Sequence, residues 1–259
     1  MELTIYQINA FARKRFEGNP AAVCPLERWL PDAILQSIAM ENNLSETAFF
    51  VQTTEGYHIR WFTPTHEVNL CGHATLASAY VIFDLLDHTP QSISFQSKSG
   101  VLTVQKLKDR LEMDFPSQPP QECEVPPQLA SALKVRPNRC LKREDYIVVL
   151  DNEEAVLALA PEFSKLAGLD LRGVAVTSKA KSYDFVLRFF APKYGINEDP
   201  VTGSAFTQLV PYWAEVLGKS DLKAKQVSKR GGEVMCRLAG NRVKIGGTAV
   251  KYLVGAIEI

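Results

Sequence analysis

Two short stretches of this chain use one structural device twice, and they do so inside a longer repeat. Asn69-Leu70-Cys71-Gly72-His73-Ala74-Thr75 and Asp199-Pro200-Val201-Thr202-Gly203-Ser204-Ala205 each follow an aromatic, strand-like run ending in proline, residues 59–64 and 187–192. Each puts Gly, a small polar or imidazole residue and Ala directly before an apolar helical stretch. Farther on, Gly100 and Gly232 are separated by 132 residues, as are Leu102 and Val234, Val104 and Cys236, and Leu111 and Val243. Asp109-Arg110-Leu111-Glu112-Met113 and Asn241-Arg242-Val243-Lys244-Ile245 stand at the same offset. Self-similarity at so long a period points to an internal duplication. It leads to two similar halves of mixed helix and strand, with a cleft expected where they meet.

The repeated device has a chemical meaning. A helix that begins on Gly presents free backbone N–H groups, and the positive end of its dipole, to whatever lies in front of it. Two such ends aimed into one cleft would make a pocket for a small anion, with acid–base side chains at hand.

Bulk properties narrow the class. At 259 residues the chain is comfortable for two domains of ordinary size. Lys+Arg and Asp+Glu both number 29, so there is no electrostatic reason to expect nucleic acid or an anionic membrane as partner. The five cysteines are odd in number, scattered and without CxxC spacing, which favours reduced thiols over a disulfide framework or a zinc site. The N-terminus has no basic segment followed by an apolar one, and the longest apolar stretches, such as residues 77–86, are too short for a bilayer. A cytoplasmic, globular protein is expected.

Along the chain, residues 3–8 read as a strand, and a polar segment ends at the turn signal Gly18-Asn19-Pro20. Residues 31–42 have helical periodicity, residues 46–51 return to strand composition, and a helix of about four turns follows Gly72. Residues 93–96 and 101–104 alternate around Gly100 as a hairpin. The N-terminal half is expected over residues 1–117. The stretch 118–128, dense in proline, reads as a linker without regular structure, and residues 129–250 form the C-terminal half. Within that half, Pro161 divides two short helical runs, and the Gly203-Ser204-Ala205 turn leads into a helix through Leu217.

Each chemically interesting residue has an ordinary reading beside the functional one. Glu46 lies in Leu44-Ser45-Glu46-Thr47-Ala48-Phe49-Phe50; it either faces solvent by strand alternation or sits in the cleft as a desolvated general base. His73 either caps and packs, or hydrogen-bonds a ligand in the space that Gly72 and Ala74 leave. Asp199, extended ahead of Pro200, and Ser204 read as turn and cap residues or as ligand contacts. Three sharper ideas fail. Thr202-Gly203-Ser204-Ala205 is not a nucleophile elbow, His66, Cys71 and His73 lack a fourth ligand for a metal, and no phosphate-binding glycine motif is present. Cys71 has no thiol opposite it in the second motif, so a two-thiol racemase is not indicated and Cys71 reads as a small buried residue.

At these residues the chain resembles the PhzF family of phenazine-biosynthesis-like isomerases, which share the diaminopimelate epimerase fold. The resemblance rests on Phe16-Glu17-Gly18-Asn19-Pro20-Ala21-Ala22-Val23, Leu44-Ser45-Glu46-Thr47-Ala48-Phe49, Cys71-Gly72-His73-Ala74-Thr75 and Asp199-Pro200-Val201-Thr202-Gly203-Ser204-Ala205, in that order and over nearly the whole chain. It implies an α+β fold of two pseudo-symmetric domains, each a sheet curled around a central helix, with residues 251–259 returning to complete the first. It also implies Glu46 as general acid/base, and His73, Asp199 and Ser204 as residues that bind substrate and assist proton transfer. The amides of Gly72 and Gly203 would join them as substrate-binding groups. No cofactor or metal is used in that family, and homodimers are usual. Two departures bear on substrate: Phe206 stands where the family typically has His, and residues 229–237 differ from those of phenazine-pathway members.

The reading that results is a cofactor-independent isomerase of a small carboxylate-bearing metabolite. Its rival is a non-catalytic metabolite-binding protein on the same scaffold.

Overall fold

The computed structural model describes residues 1–86 and 90–259, and the chain divides into two compact units, Met1–Asp114 with Gly246–Ile259, and Phe115–Ile245. In the first unit, β1 (Glu2–Ala10) pairs antiparallel with β2 (Asn19–Leu26). Helix α1 (Asp32–Asn42) then carries the chain to β3 (Glu46–Thr53), parallel to β2. A hairpin leads to β4 (Gly56–Phe62), which takes the two-residue β5 (Glu67–Val68) on its far end. Helix α2 (Gly72–Tyr80), prolonged by a π-helical turn over Val81–Leu85, crosses to β6 (Ser92–Ser97), parallel to β4. Strands β7 (Gly100–Lys106) and β8 (Leu111–Pro116) continue antiparallel.

The second unit runs through the same order. After β9 (Gln121–Glu122) and α3 (Pro127–Leu133), β10 (Arg139–Lys142) pairs antiparallel with β11 (Tyr146–Val149). Helices α4 (Glu153–Leu157) and α5 (Phe163–Ala167) then lead to β12 (Val174–Lys179), parallel to β11. Antiparallel β13 (Phe185–Ala191) follows, with the short β14 (Ile196–Asp199) against it. Helix α6 (Phe206–Leu217) crosses to β15 (Asp221–Gln226), parallel to β13, and β16 (Gly232–Ala239) turns back on β15. Strand β17 (Arg242–Gly247) precedes β18 (Ala249–Glu258), which returns to the first unit and pairs antiparallel along β1. The position β18 takes beside β1 is the one β9 takes beside β10. The parallel pairs are joined through helices, as parallel geometry requires.

Each unit keeps a helix in its interior. Every residue of α2 from Gly72 to Ala79 is buried, and small residues (Gly72, Ala74, Ala77, Ser78, Ala79) let the sheet close around it. In α6 the residues from Phe206 to Ala214 are buried, and the Trp213 ring stacks on Phe185 at 5.6 Å. Pro211 lies inside α6 and has no N–H for the carbonyl of Thr207. The Gln118 N–H takes that carbonyl at 2.9 Å. Among the described residues no helix is long and apolar enough to cross a membrane.

The stretch 118–128 differs from its reading as a linker, since it lies inside the second unit. Its backbone groups are used there: Gln118 on α6, Gln121 and Glu122 in β9, and the Cys123 N–H on the Cys140 carbonyl at 3.0 Å. Proline density removed donors from this stretch but left enough to dock it.

Candidate active site

The first unit brings Glu46, Asn19, Cys71 and His73 together from three elements. Glu46 opens β3 opposite Ala21 of β2, Asn19 opens β2, and His73 lies in the first turn of α2. Glu46 Oε2 stands 3.1 Å from His73 Nε2, with 13% and 6% of the two side chains exposed. Strand alternation therefore does not send Glu46 to solvent. Neither atom completes an aligned hydrogen bond, so the pair is close in charge while its proton-carrying positions stay available. Asn19 Nδ2 lies 3.2 Å from Nδ1 on the ring's other side, and Cys71 Sγ is 3.5 Å from the same nitrogen. Asn19 Nδ2 can donate to Nδ1 only in the neutral ring, with the ring proton on Nε2; in the charged ring Nδ1 is itself a donor and is matched by the Asn19 amide turned to present its oxygen.

Electrostatics favour a charged ring. Burial lowers the His73 pKa while the charges of Cys71 and Glu46 raise it above its ordinary range, and with the thiol protonated the rise rests on Glu46. Burial first, and then the Glu46 charge, push the Cys71 thiol up to about 11. At neutral pH the thiol thus keeps its proton, and Glu46 supplies the charge that holds the imidazolium. Ahead of them, α2 starts on Gly72 with Cys71 extended as its cap and no side-chain cap on its N–H groups. The Thr75 hydroxyl and N–H both bond the Cys71 carbonyl, at 2.6 and 3.1 Å, fixing that turn.

The second unit holds a different arrangement. Asp199 ends β14 and is buried, its Oδ2 accepting from the Thr202 hydroxyl at 2.5 Å. Gln226 ties the turn by donating to the Asp199 carbonyl at 2.7 Å and accepting from the Thr202 N–H at 2.8 Å. Gly203–Ala205 form a single 3-10 turn ahead of α6, so the second Gly-led start is tighter than the first. The Ser204 hydroxyl accepts from Arg172 Nη1 at 2.9 Å. Arg172 in turn grips the fully buried Asp145 through Nε at 2.9 Å and Nη2 at 2.5 Å, and Gln208 Nε2 donates to the same carboxylate at 2.6 Å. Phe206 is wholly buried with its ring 6.1 Å from Phe185.

The profile of the PhzC-PhzF family, phenazine biosynthesis-like protein, matches residues 8–255. The chain belongs to that family. It is 52% identical over 259 residues to an uncharacterized isomerase of Pseudomonas aeruginosa, with 100% of both chains covered. It is 36% identical over 291 residues to the phenazine biosynthesis-like domain-containing protein of Homo sapiens, covering 99% of each. Among solved structures, a phenazine biosynthesis protein of the PhzF family from Enterococcus faecalis matches with a TM-score of 0.98 at 46% identity over 100% of both chains. A hydroxyproline epimerase from Agrobacterium vitis shares the fold alone, with a TM-score of 0.64 at 8% identity, covering 99% of this chain and 92% of that one. The protein is an isomerase of the PhzF family on an epimerase-like α+β scaffold.

Within this PhzF-family chain, Glu46, Cys71 and His73 place one ligand atom each within 4.8 Å of one another. A divalent cation there would have to displace protons from a buried thiol and a ring held cationic. The donor set suits a proton better than a metal. His66, grouped with Cys71 and His73 in the sequence, is exposed and bonded to Thr65 Oγ1 at 2.9 Å instead. A cavity of about 740 Å³ in the second unit, lined by Pro120, Glu122, Arg139 and Tyr212 among others, contains none of the candidate residues. Sequence reasoning missed Asn19 and Arg172. The only signal for Asn19 was its place between Gly18 and Pro20; Arg172 left none, because its partners lie 27 and 32 positions away.

Proposed function

We propose that this isomerase moves a proton within a small carboxylate-bearing metabolite, with Glu46 as general acid/base and without a cofactor. The observation that carries the proposal is the buried Glu46–His73 pair, 3.1 Å apart and unaligned, at the open start of α2. Glu46 takes a proton from a carbon beside the substrate's carboxylate, and the charge that develops on oxygen is met by the α2 amides of Gly72 and His73. The His73 imidazolium lowers the cost of that negative charge and orients the carboxylate of Glu46. Glu46 exchanges its proton with solvent and delivers one to a different carbon, or to the other face, which completes the isomerisation and restores the carboxylate. Asp199 and Ser204, to which the resemblance assigns substrate handling, carry no step of this proposal.

The test is deuterium incorporation from heavy water into a panel of small cyclic, unsaturated and amino carboxylic acids. The wild-type protein is expected to exchange one carbon-bound hydrogen of its substrate. Glu46→Gln is expected to lower that rate by about 10²–10⁴-fold while the fold and ligand binding persist. Full exchange by the variant would refute the role of Glu46. A tightly bound acid that the wild type never exchanges would identify a binding protein instead.

A further inference from the structure

Cys123 and Cys140 are 17 positions apart and show no recognisable motif, yet the fold sets them side by side. In the β9–β10 ladder, Gln121 opposes Lys142 and Glu122 opposes Leu141. One step further brings Cys123 opposite Cys140, where the Cys123 N–H donates to the Cys140 carbonyl at 3.0 Å. Their sulfurs are 3.6 Å apart. Directly opposed residues of an antiparallel pair have Cα atoms about 4.5–5.5 Å apart, inside the range of about 4.4–6.8 Å that a disulfide spans. Side-chain rotation alone can therefore bring the sulfurs to bonding distance.

The two thiols are unequal. Of the chain's five cysteines, all among the described residues, Cys123 alone is not buried. Cys140 packs in the core cluster with Leu129, Tyr146 and Val148, and burial, followed by the neighbouring Cys123, pushes its thiol up to about 12. An oxidant from solvent meets Cys123 first and finds Cys140 waiting behind it.

We propose that Cys123 and Cys140 are a peroxide-oxidisable pair that closes to a disulfide within the second unit. The Cys123 thiolate attacks one oxygen of a hydroperoxide; the O–O bond breaks, the sulfur keeps that oxygen as a sulfenic acid, and the other oxygen leaves with the released proton as water or alcohol. The Cys140 sulfur then attacks the Cys123 sulfur. The S–O bond breaks and the oxygen departs as water, carrying the Cys140 proton. Two thiols lose two electrons and the peroxide gains them. Juxtaposition at 3.6 Å makes the second step intramolecular, which offsets the scarcity of Cys140 thiolate. The product fastens the proline-rich stretch to β10 by a covalent bond, where β9 now contributes a ladder of two residues. Neither cysteine belongs to the Glu46–His73 cluster, so the proposal stands apart from the isomerase chemistry.

The experiment uses the full chain, reduced and then titrated with hydrogen peroxide. It is quenched with an alkylating reagent after unfolding and mapped by peptide mass spectrometry. The expected product is a linked pair of peptides containing Cys123 and Cys140, two hydrogens lighter than the free thiols, reversed by dithiothreitol. Cys24, Cys71 and Cys236 are expected to remain alkylatable at the same dose. In Cys123→Ser, Cys140 should stay a free thiol. The proposal is overturned if Cys123 proceeds to sulfinic acid while Cys140 remains free, or if only links between separate chains form. Oxidation of Cys140 in Cys123→Ser as fast as in the wild type would also overturn it.

Discussion

Replacing Glu46 by Gln should lower the pKa of His73, and the structure bounds by how much. Two unit charges 3.1 Å apart attract by about 5 kcal/mol at an effective dielectric constant of about 20. That figure is a ceiling. The Glu46 side chain is 13% exposed and the ring N–H is not aimed at its oxygen, so solvent and geometry both reduce the coupling. A fall is expected, since Glu46→Gln removes the opposite charge that favours the protonated ring. The assay is NMR titration of the imidazole carbons across pH. The chain has four histidines, and His73→Gln identifies the resonance. A sign follows for stability. His73 is raised in the folded state, so its contribution is full below the unfolded value of about 6.5 and is lost as pH rises through the folded value. The stability gap between wild type and Glu46→Gln in urea should accordingly be larger near about pH 6 than at strongly alkaline pH. An unchanged or raised His73 pKa in Glu46→Gln would refute the ion pair, and with it the reason for assigning Glu46 a charged partner.

Two further substitutions probe the second unit. Phe206→His places a polar ring at a fully buried position beside Phe185 and should destabilise by about 2–4 kcal/mol in urea unfolding. Unchanged stability would mean that the imidazole finds a partner there. Asp145→Ala removes the carboxylate that holds Arg172 and Gln208, and should cost about 2–4 kcal/mol, the one-third exposure of Arg172 offsetting part of the loss. Asp145→Asn should recover a portion, and a cost below about 0.5 kcal/mol would show that the network is not holding the turn at Ser204.

Much of the fold could be read along the chain because its signals are local. Helix α1 falls where periodicity and Pro31 set it, and the hairpin around Gly100 follows from alternation. Pro161 separates α4 from α5. The repeat at 132 residues has its counterpart in two units with one connectivity. Proline counts in the stretch 118–128 report missing donors and are silent about where the remaining donors go; Gln118 serves a carbonyl that another proline, Pro211, left open.

The candidate site was legible only as a set of residue types. Glu46 and His73 stood out by their flanks, and their being 3.1 Å apart is a product of parallel β2–β3 pairing and of α2 packing beside it. Asn19 on the far side of the ring, Arg172 on Ser204 and Cys123 beside Cys140 are all pairings between elements distant in the chain. The sequence by itself determined the elements, the duplicated plan and the two Gly-led helix starts, since propensity and periodicity are properties of a few neighbouring residues. The tertiary structure decided which side chains share a charge, a proton or a sulfur contact, because burial and distance are set only when the strands choose their neighbours.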